Sequence, residues 1–140
     1  MKQYQIFAII SMIFAGLTSV IAKAGLKNVA SDTGLAVRTS FVFLLIWLNI
    51  LVFNNTKDFG NLTKRVVLLL GVSGFTTTIS WIFYYRAMKI GNVSEIALID
   101  KGSIIITLAL SFFFLNEEFT WKIAVGGLMI IGGILVLTLK

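Results

Sequence analysis

The chain has 140 residues, of which 58% are hydrophobic, with 12 Lys and Arg against 6 Asp and Glu. This composition and a mean hydropathy of +0.97 exclude a water-soluble surface and indicate a membrane protein. Because Cys and His are both absent, we expect no disulfide, no thiolate nucleophile, no imidazole base and no zinc, haem or iron-sulfur ligand set. The sequence is interpreted as that of a protein with no enzymatic activity, no cofactor and no metal site. The net charge of +6 does not indicate nucleic-acid binding, since the basic residues flank apolar runs instead of sharing one solvated face.

Five apolar segments follow one another along the chain, each close to the roughly 20 residues that a membrane-spanning helix needs. The sequence does not favour a β-barrel, because barrel strands alternate apolar and polar residues, whereas residues 104–115 and 123–139 are apolar almost all round. The sequence therefore predicts an all-α integral membrane protein with one domain, residues 1–140. Its helices are predicted at about residues 6–22, 35–53, 66–85, 96–115 and 123–139.

The first segment has a second interpretation, a cleaved signal peptide ending near Ala22-Lys23-Ala24. Its apolar run is longer than the usual signal core, and the cleavage site would contain a lysine, so an uncleaved span is favoured.

The connections between the predicted helices are short, at residues 24–34, 54–65, 86–95 and 116–122, which favours antiparallel neighbours in an up-down bundle. Thr120 is the predicted N-cap of the last helix.

Positive charges set the orientation of a membrane protein, because Lys and Arg are retained on the cytoplasmic side. Five lie on the N-terminal side of the predicted bundle and six on the opposite side, and Lys101 lies inside the fourth span. The five are Lys2, Lys57, Lys64, Arg65 and Lys122, and the six are Lys23, Lys27, Arg38, Arg86, Lys89 and Lys140. This balance permits insertion in both orientations and an antiparallel homodimer, although a few well-placed charges such as Lys64 and Arg65 could also fix one orientation.

A polar and aromatic face is predicted on the third helix, where a solute could stack and form hydrogen bonds. Its members follow helical spacing: Ser73, Thr77, Ser80, Trp81, Tyr84 and Tyr85. The alternative is an aromatic belt at the membrane surface, which suits Tyr84 and Tyr85 better than Trp81.

Asp100 and Lys101 interrupt the fourth span near the predicted middle of the membrane, where a charge costs about 2.5–3.5 kcal/mol. Consecutive residues do not face each other on a helix, so each ion needs another partner. For Asp100 the candidates are Lys23 and Arg38, which enter from the same side of the membrane.

The same face of the fourth helix carries further polar groups at three- and four-residue spacing from Asp100, namely Ser103, Thr107 and Ser111. The functional interpretation is a lined path for a solute or proton, with gating by the ionic groups. The alternative is a fixed ion network that holds the helices together.

The last helix carries Gly126 and Gly133 seven residues apart on one face, which allows close approach of a second backbone. This face is a candidate dimer seam, and packing within the chain is the alternative.

The stretch from Tyr84 to Leu139 resembles the EamA unit of the drug/metabolite transporter superfamily. The shared motifs are Tyr-x-x-Ala-Met-x-x-Gly (84–91), Leu-x-Glu-x-x-Thr (115–120) and the Gly-rich last helix, with Arg38 and Lys23-x-Gly25-Leu26 also fitting. The match is most similar to short five-helix members carrying Asp-Lys-x-Ser, here residues 100–103. Relatives usually have a proline in this region, and its absence here argues against a broken fourth helix.

The resemblance implies an inverted repeat, in which two five-helix units of opposite orientation enclose a cavity with alternating access. A chain with only one such unit would obtain the second from another copy of itself, in an antiparallel homodimer. The Gly126 and Gly133 pair is also similar to the dimer seam of small multidrug resistance proteins.

These observations predict a secondary transporter of a small organic solute, an exporter more than an importer, in the cytoplasmic (inner) membrane. Its expected partners are membrane lipid, the solute and a second copy of the chain. The alternatives are a flippase subunit for a lipid-linked solute and a non-transporting scaffold or assembly subunit.

Overall fold

The computed structural model describes residues 2–53 and 59–138. The predictions that concern Lys57, Leu139, Lys140 and the first part of the second loop lie outside the described residues. Within the described ranges the regular structure is helical. The helices are α1 (Gln3–Gly25), α2 (Ser31–Val52), α3 (Lys64–Ile90), α4 (Val93–Asp100), α5 (Ser103–Leu115) and α6 (Trp121–Thr138).

Four segments are long and apolar enough to cross a membrane: α1, α2, α3 and the stretch Val93–Leu115 that contains α4 and α5. The predicted fifth span corresponds to a shorter apolar helix, Trp121–Leu137. The predicted third loop, residues 86–95, was too long, because α3 continues to Ile90 and α4 begins at Val93.

The expectation of one unbroken fourth helix was wrong. Lys101 and Gly102 interrupt it, and their amide N–H groups donate to the carbonyls of Leu98 and Ile99, three residues back. This tight 3₁₀-type geometry replaces the four-residue hydrogen bonds of an α-helix. A charged pair followed by glycine therefore produces the break without a proline.

Helix boundaries follow from local capping. The Thr120 hydroxyl accepts a hydrogen bond from the Ile123 amide at 3.4 Å, which confirms the predicted cap of α6. At the end of α5, Asn116 adopts a left-handed conformation with φ of 52°, which asparagine tolerates better than most residues.

The chain divides into two compact units, residues 1–90 and 91–140. In the first unit, Ser19 and Lys23 of α1 contact Tyr84 and Met88 of α3 respectively. Both pairs advance in the same direction, so α1 and α3 run parallel.

Helix α2 runs opposite to α3, because Asp32 contacts Arg86 while Arg38, further along α2, contacts Trp81, earlier in α3. This alternation of directions is the up-down order expected from short connections.

The buried core of the first unit is small and lies at the end where the α1–α2 loop meets the last turns of α3. Its large buried side chains are Leu26, Leu35, Tyr85 and Met88. Gly34 leaves room for the Leu26 side chain, which a Cβ at that position would strike. Most other large apolar side chains in the described ranges are exposed, so their natural surroundings are lipid or protein rather than water.

In the second unit, α6 packs antiparallel to α5. Gly127 of α6 lies against Leu108 of α5, and Gly102 at the break lies close to Ile134 of α6. Glycine thus allows close helix contact within the chain at Gly127.

Candidate functional site

The last turns of α3 hold the loop between α1 and α2 through one lysine. Lys89 Nζ donates to the carbonyl oxygens of Leu26, Lys27 and Val29 at 2.7, 3.2 and 2.9 Å. A lysine ammonium has three donors, so these contacts satisfy all of them. The last carbonyls of an α-helix lack partners within the helix. After α1, Lys89 supplies a donor for these carbonyls, and the Leu26 carbonyl also accepts from the Val29 amide at 3.4 Å.

The first turn of α2 is attached to α3 by a bidentate ion pair. Arg86 Nη2 lies 2.9 Å from Asp32 Oδ2, and Nε donates to Oδ1 at 3.2 Å. Both side chains are more than half exposed, so the pair serves more to fix the orientation of α2 than to add stability.

Two polar contacts join α1 to α3. The hydroxyl groups of Ser19 and Tyr84 lie 3.0 Å apart, and Lys23 Nζ donates to the carbonyl oxygen of Met88. Together with Lys89, these contacts bring the three helices together at one end of the first unit.

Next to this end, Arg38 lies over the aromatic side chains of α3. Its guanidinium carbon is 4.0 Å from the Trp81 ring centroid and 6.0 Å from the Tyr85 ring centroid. Stacking of this kind is favourable for a planar cation. Arg38 Nη1 is buried and has no hydrogen-bond partner among the described residues, and the same is true of Tyr85 Oη.

Arg38 and Tyr85 both line a cavity of about 480 Å³ in the first unit, within the size range of small-molecule sites. Its other walls come mainly from apolar residues of α1, α2 and their loop. They are Thr18, Ile21, Ala22, Gly25, Leu26, Val29, Gly34, Val37, Phe41, Val42 and Leu45. Arg38 is the one ionisable cation in this lining, and the lining contains no carboxylate.

The predicted aromatic face of α3 is divided among different surroundings. Trp81 is half-buried against Arg38, Tyr84 is bonded to Ser19, and Tyr85 is 4% exposed. Thr77 is exposed, and its hydroxyl donates to the carbonyl of Ser73 in its own helix. Arg38 and Tyr85 are therefore the predicted site residues that the fold brings to one cavity.

The predicted residues of the fourth span lie around the break between α4 and α5. Asp100 ends α4, Lys101 follows it, and both are exposed. Ser103 begins α5, and the Thr107 hydroxyl donates to the Ser103 carbonyl. Because Lys23 and Arg38 belong to the first unit, their pairing with Asp100 stays a prediction.

Gly126 and Gly133 of α6 are exposed, and a Cβ built on either would meet no described atom within 4 Å. This face is open to a second backbone, and the dimer seam stays a prediction. Gly127, next to Gly126, is instead buried against Leu108.

Sequence reasoning did not single out Asp32, the carbonyl contacts of Lys89 or the apolar walls of the cavity. The presence of Asp32 in the first turn of a helix was an available signal, since such an anion often has a structural partner. The apolar walls had no signal, because their side chains resemble any other lipid-facing residues. Among the described residues, no cluster of acidic side chains is suited to a metal ion.

Comparisons with known proteins agree with this architecture. The model of the EamA-like transporter family matches residues 3–139. A Sinorhizobium sp. protein, described as an uncharacterized transporter in the cobO 3′ region, is 31% identical over 136 residues. That alignment covers 97% of this chain and 96% of the relative. No solved structure matches the chain.

The fold defines the class of the protein, a helical membrane protein with several apolar spans. The family match covers nearly the whole chain. The chain belongs to the EamA-like transporter family. It is a multi-pass membrane transporter, related to another transporter of similar length.

Proposed function

We propose that this chain is a secondary transporter that exports a small organic solute across the cytoplasmic membrane by alternating access. The working form is an antiparallel homodimer in which each copy supplies one five-helix unit. The observation that carries the proposal is the match of the EamA-like transporter family to residues 3–139. The five apolar membrane segments of one copy provide few walls with which to enclose a solute path.

The distribution of positive charge supports the opposite orientations that such a dimer needs. With five Lys and Arg residues on one side and six on the other, the bias that orients most membrane proteins is nearly absent. The open face around Gly126 and Gly133 offers a place where two copies of α6 can cross.

The break after Asp100 supports the transport step. Interrupted helices leave backbone and charged groups inside the membrane, where they can contact a solute or coupling ion. Asp100 and Lys101, both exposed, would serve as gating or coupling groups. Ser103 and Thr107 would extend the polar surface along α5.

Two alternatives are separated by experiment. A scaffold subunit would use Asp100 and Lys101 as assembly contacts and move no solute. A flippase subunit would carry a lipid-linked solute, which requires a cavity that opens sideways to lipid.

The first test is orientation. Single cysteines at Asn61, between α2 and α3, and at Asn28, between α1 and α2, are labelled in intact cells with an impermeant thiol reagent. The chain has no native Cys, so every label reports the introduced site. Partial labelling at both positions is expected, with full labelling of both after permeabilisation.

Labelling at only one position would contradict the homodimer, because all copies would then share one orientation.

Transport is tested with proteoliposomes loaded with a metabolite extract. Mass spectrometry follows the time-dependent loss of each solute from the vesicles. Asp100→Asn should abolish the loss of the transported solute while dimer yield stays normal. If Asp100→Asn loses the dimer, and if the wild-type protein moves no solute, the results would instead favour the scaffold.

A further inference from the structure

Two residues that line the cavity of the first unit carry buried hydrogen-bond donors with no acceptor among the described residues. Arg38 Nη1 and Tyr85 Oη are buried and unpaired among the described residues, and Tyr85 is 4% exposed. Leaving a buried donor unsatisfied is unfavourable, and the cost is largest for a charged group. Arginine cannot relieve the cost by losing its proton.

The stacking of Arg38 on Trp81 does not use its hydrogen-bond donors. Trp81 covers one face of the guanidinium, with 4.0 Å between the guanidinium carbon and the ring centroid. Such stacking neither uses nor blocks the N–H groups, which lie in the guanidinium plane. No described carboxylate lies within ion-pair distance of Arg38.

The rest of the cavity is apolar. Phe41, Leu45 and Ile21 are among the side chains that form its walls, and no acidic residue does. A cationic solute would meet Arg38 with no compensating anion, whereas an oxyanion would satisfy it. A volume of about 480 Å³ suits a small organic molecule.

We propose that the cavity binds a small organic anion whose carboxylate, or a similar oxyanion, accepts hydrogen bonds from Arg38 Nη1 and Tyr85 Oη. The apolar body of the anion packs against α1 and α2. This inference rests on the proposed function, since it names the substrate class of the transporter, but its test measures binding and requires no transport.

The test uses the emission of Trp81, which stacks on Arg38. Trp47→Phe and Trp121→Phe leave Trp81 as the single tryptophan of the full chain. The purified protein, in a neutral detergent, is titrated with octanoate, 1-octanol and octyltrimethylammonium, which share an alkyl chain and differ in charge. Octanoate should give a saturable change in emission, and the neutral and cationic probes should not.

Substitutions assign the response to the two donors. Arg38→Gln should weaken octanoate binding by about tenfold to a hundredfold, and Tyr85→Phe by about twofold to tenfold. Arg65→Gln removes an equal charge from the far end of α3, and Tyr4→Phe removes an exposed hydroxyl from α1 outside the cavity lining. Both controls should stay within about twofold of the parent.

A further variant keeps the test informative if Arg38→Gln fails to fold. Arg38→Lys retains the charge but not the planar set of donors, and it should weaken octanoate binding by about tenfold. An unchanged octanoate affinity in folded Arg38→Lys and Tyr85→Phe would overturn the proposal. Equal responses to octanoate and 1-octanol would overturn it as well.

Two other occupants are distinguished by the same signal. If Asp100 is the partner of Arg38, octanoate should act only on the Asp100→Asn variant, and that result would overturn the proposal. The second arm compares vesicles of phosphatidylcholine alone with vesicles that also contain phosphatidylglycerol. An Arg38-dependent change caused by the anionic lipid itself, with loss of the octanoate response, would assign the site to lipid.

The binding site and the proposed transport can fail separately. Octanoate binding without solute flux in proteoliposomes would support the site while contradicting the proposed transport.

Discussion

Three basic residues at the same end of the first unit have three different partners. Lys89 donates to backbone carbonyls, Arg86 pairs with a carboxylate, and Arg38 stacks on Trp81. Lysine suits the carbonyls because its donors can point in several directions, and arginine suits the flat carboxylate and the flat indole. Among the described residues, Arg38 alone of the three retains a buried donor without a partner, which is why it is the candidate for binding.

At this scale Lys89→Met should destabilise the first unit. The methionine preserves much of the aliphatic stem but loses the hydrogen bonds to Leu26, Lys27 and Val29, at a cost of about 1.5–3 kcal/mol. Thermal unfolding of the detergent-purified protein should show a lower midpoint. Lys27→Met, which removes an exposed lysine side chain from the same loop, is the control, and an equal drop there would contradict the role of Lys89.

Among the elements, the interrupted fourth span is the one on which the proposed transport step depends. It places Asp100 at the end of one short helix and Ser103 at the start of the next. Gly102 fits this turn because a Cβ would lie 2.9 Å from the Ile99 carbonyl oxygen and 3.4 Å from Ile134 Cδ1.

Gly102→Ala should therefore disturb the break. The added methyl must displace the Ile99 carbonyl or α6, and crowding of this kind typically costs about 1–3 kcal/mol. A lower thermal midpoint and reduced solute flux are expected. Gly132→Ala on α6, where a Cβ meets no described atom within 4 Å, should leave both measurements close to the parent. Equal effects of the two substitutions would show that crowding at the break is not the cause.

The positions of the helices were largely predictable from sequence, because long apolar runs bounded by charges and small residues leave few alternatives in a membrane. The break at Lys101 and Gly102 was not predicted, because the chain has no proline, which is the strongest helix breaker, and a charged pair next to glycine is a weaker signal. Arg38 and Tyr85 were both named as candidate site residues. The cavity that Arg38 and Tyr85 share was not predicted, because it depends on how α1 and α2 pack. The apolar surfaces of these two helices show no pattern that indicates which residues meet.

For the whole molecule, the near balance of positive charge makes orientation sensitive to small changes. Lys64→Gln with Arg65→Gln removes two positive charges from one side and should shift the copies toward the orientation that keeps the other side cytoplasmic. The ratio of labelling at Asn28 and Asn61 measures this shift. Lys27→Gln with Lys140→Gln should move the ratio the opposite way, and equal ratios in both variants would contradict control by these charges.

The proposed seam predicts a specific cross-link. In an antiparallel crossing centred between the two glycines, Gly126 of one copy meets Gly133 of the other. Differently tagged copies carrying Gly126→Cys and Gly133→Cys should therefore form a disulfide with each other. A parallel seam would instead favour links between identical positions. Leu128→Cys, on another face of α6, should form neither.

The break after Asp100 also has an electrical consequence. Asp100 lies about 10 Å from the start of the segment Val93–Leu115, which is about 34 Å long at about 1.5 Å per residue. This is about one third of the way along and not the middle that the sequence predicted, so in a spanning segment its charge is separated from the two membrane faces by unequal fractions of the transmembrane field. In an antiparallel pair the two copies hold this charge at complementary depths, measured from the same face. The membrane potential, worth about 2.3 kcal/mol per charge at 100 mV, then acts with opposite sign on equivalent movements in the two copies. Such a pair takes its net voltage dependence from the charge of its cargo and coupling ions rather than from its own aspartates.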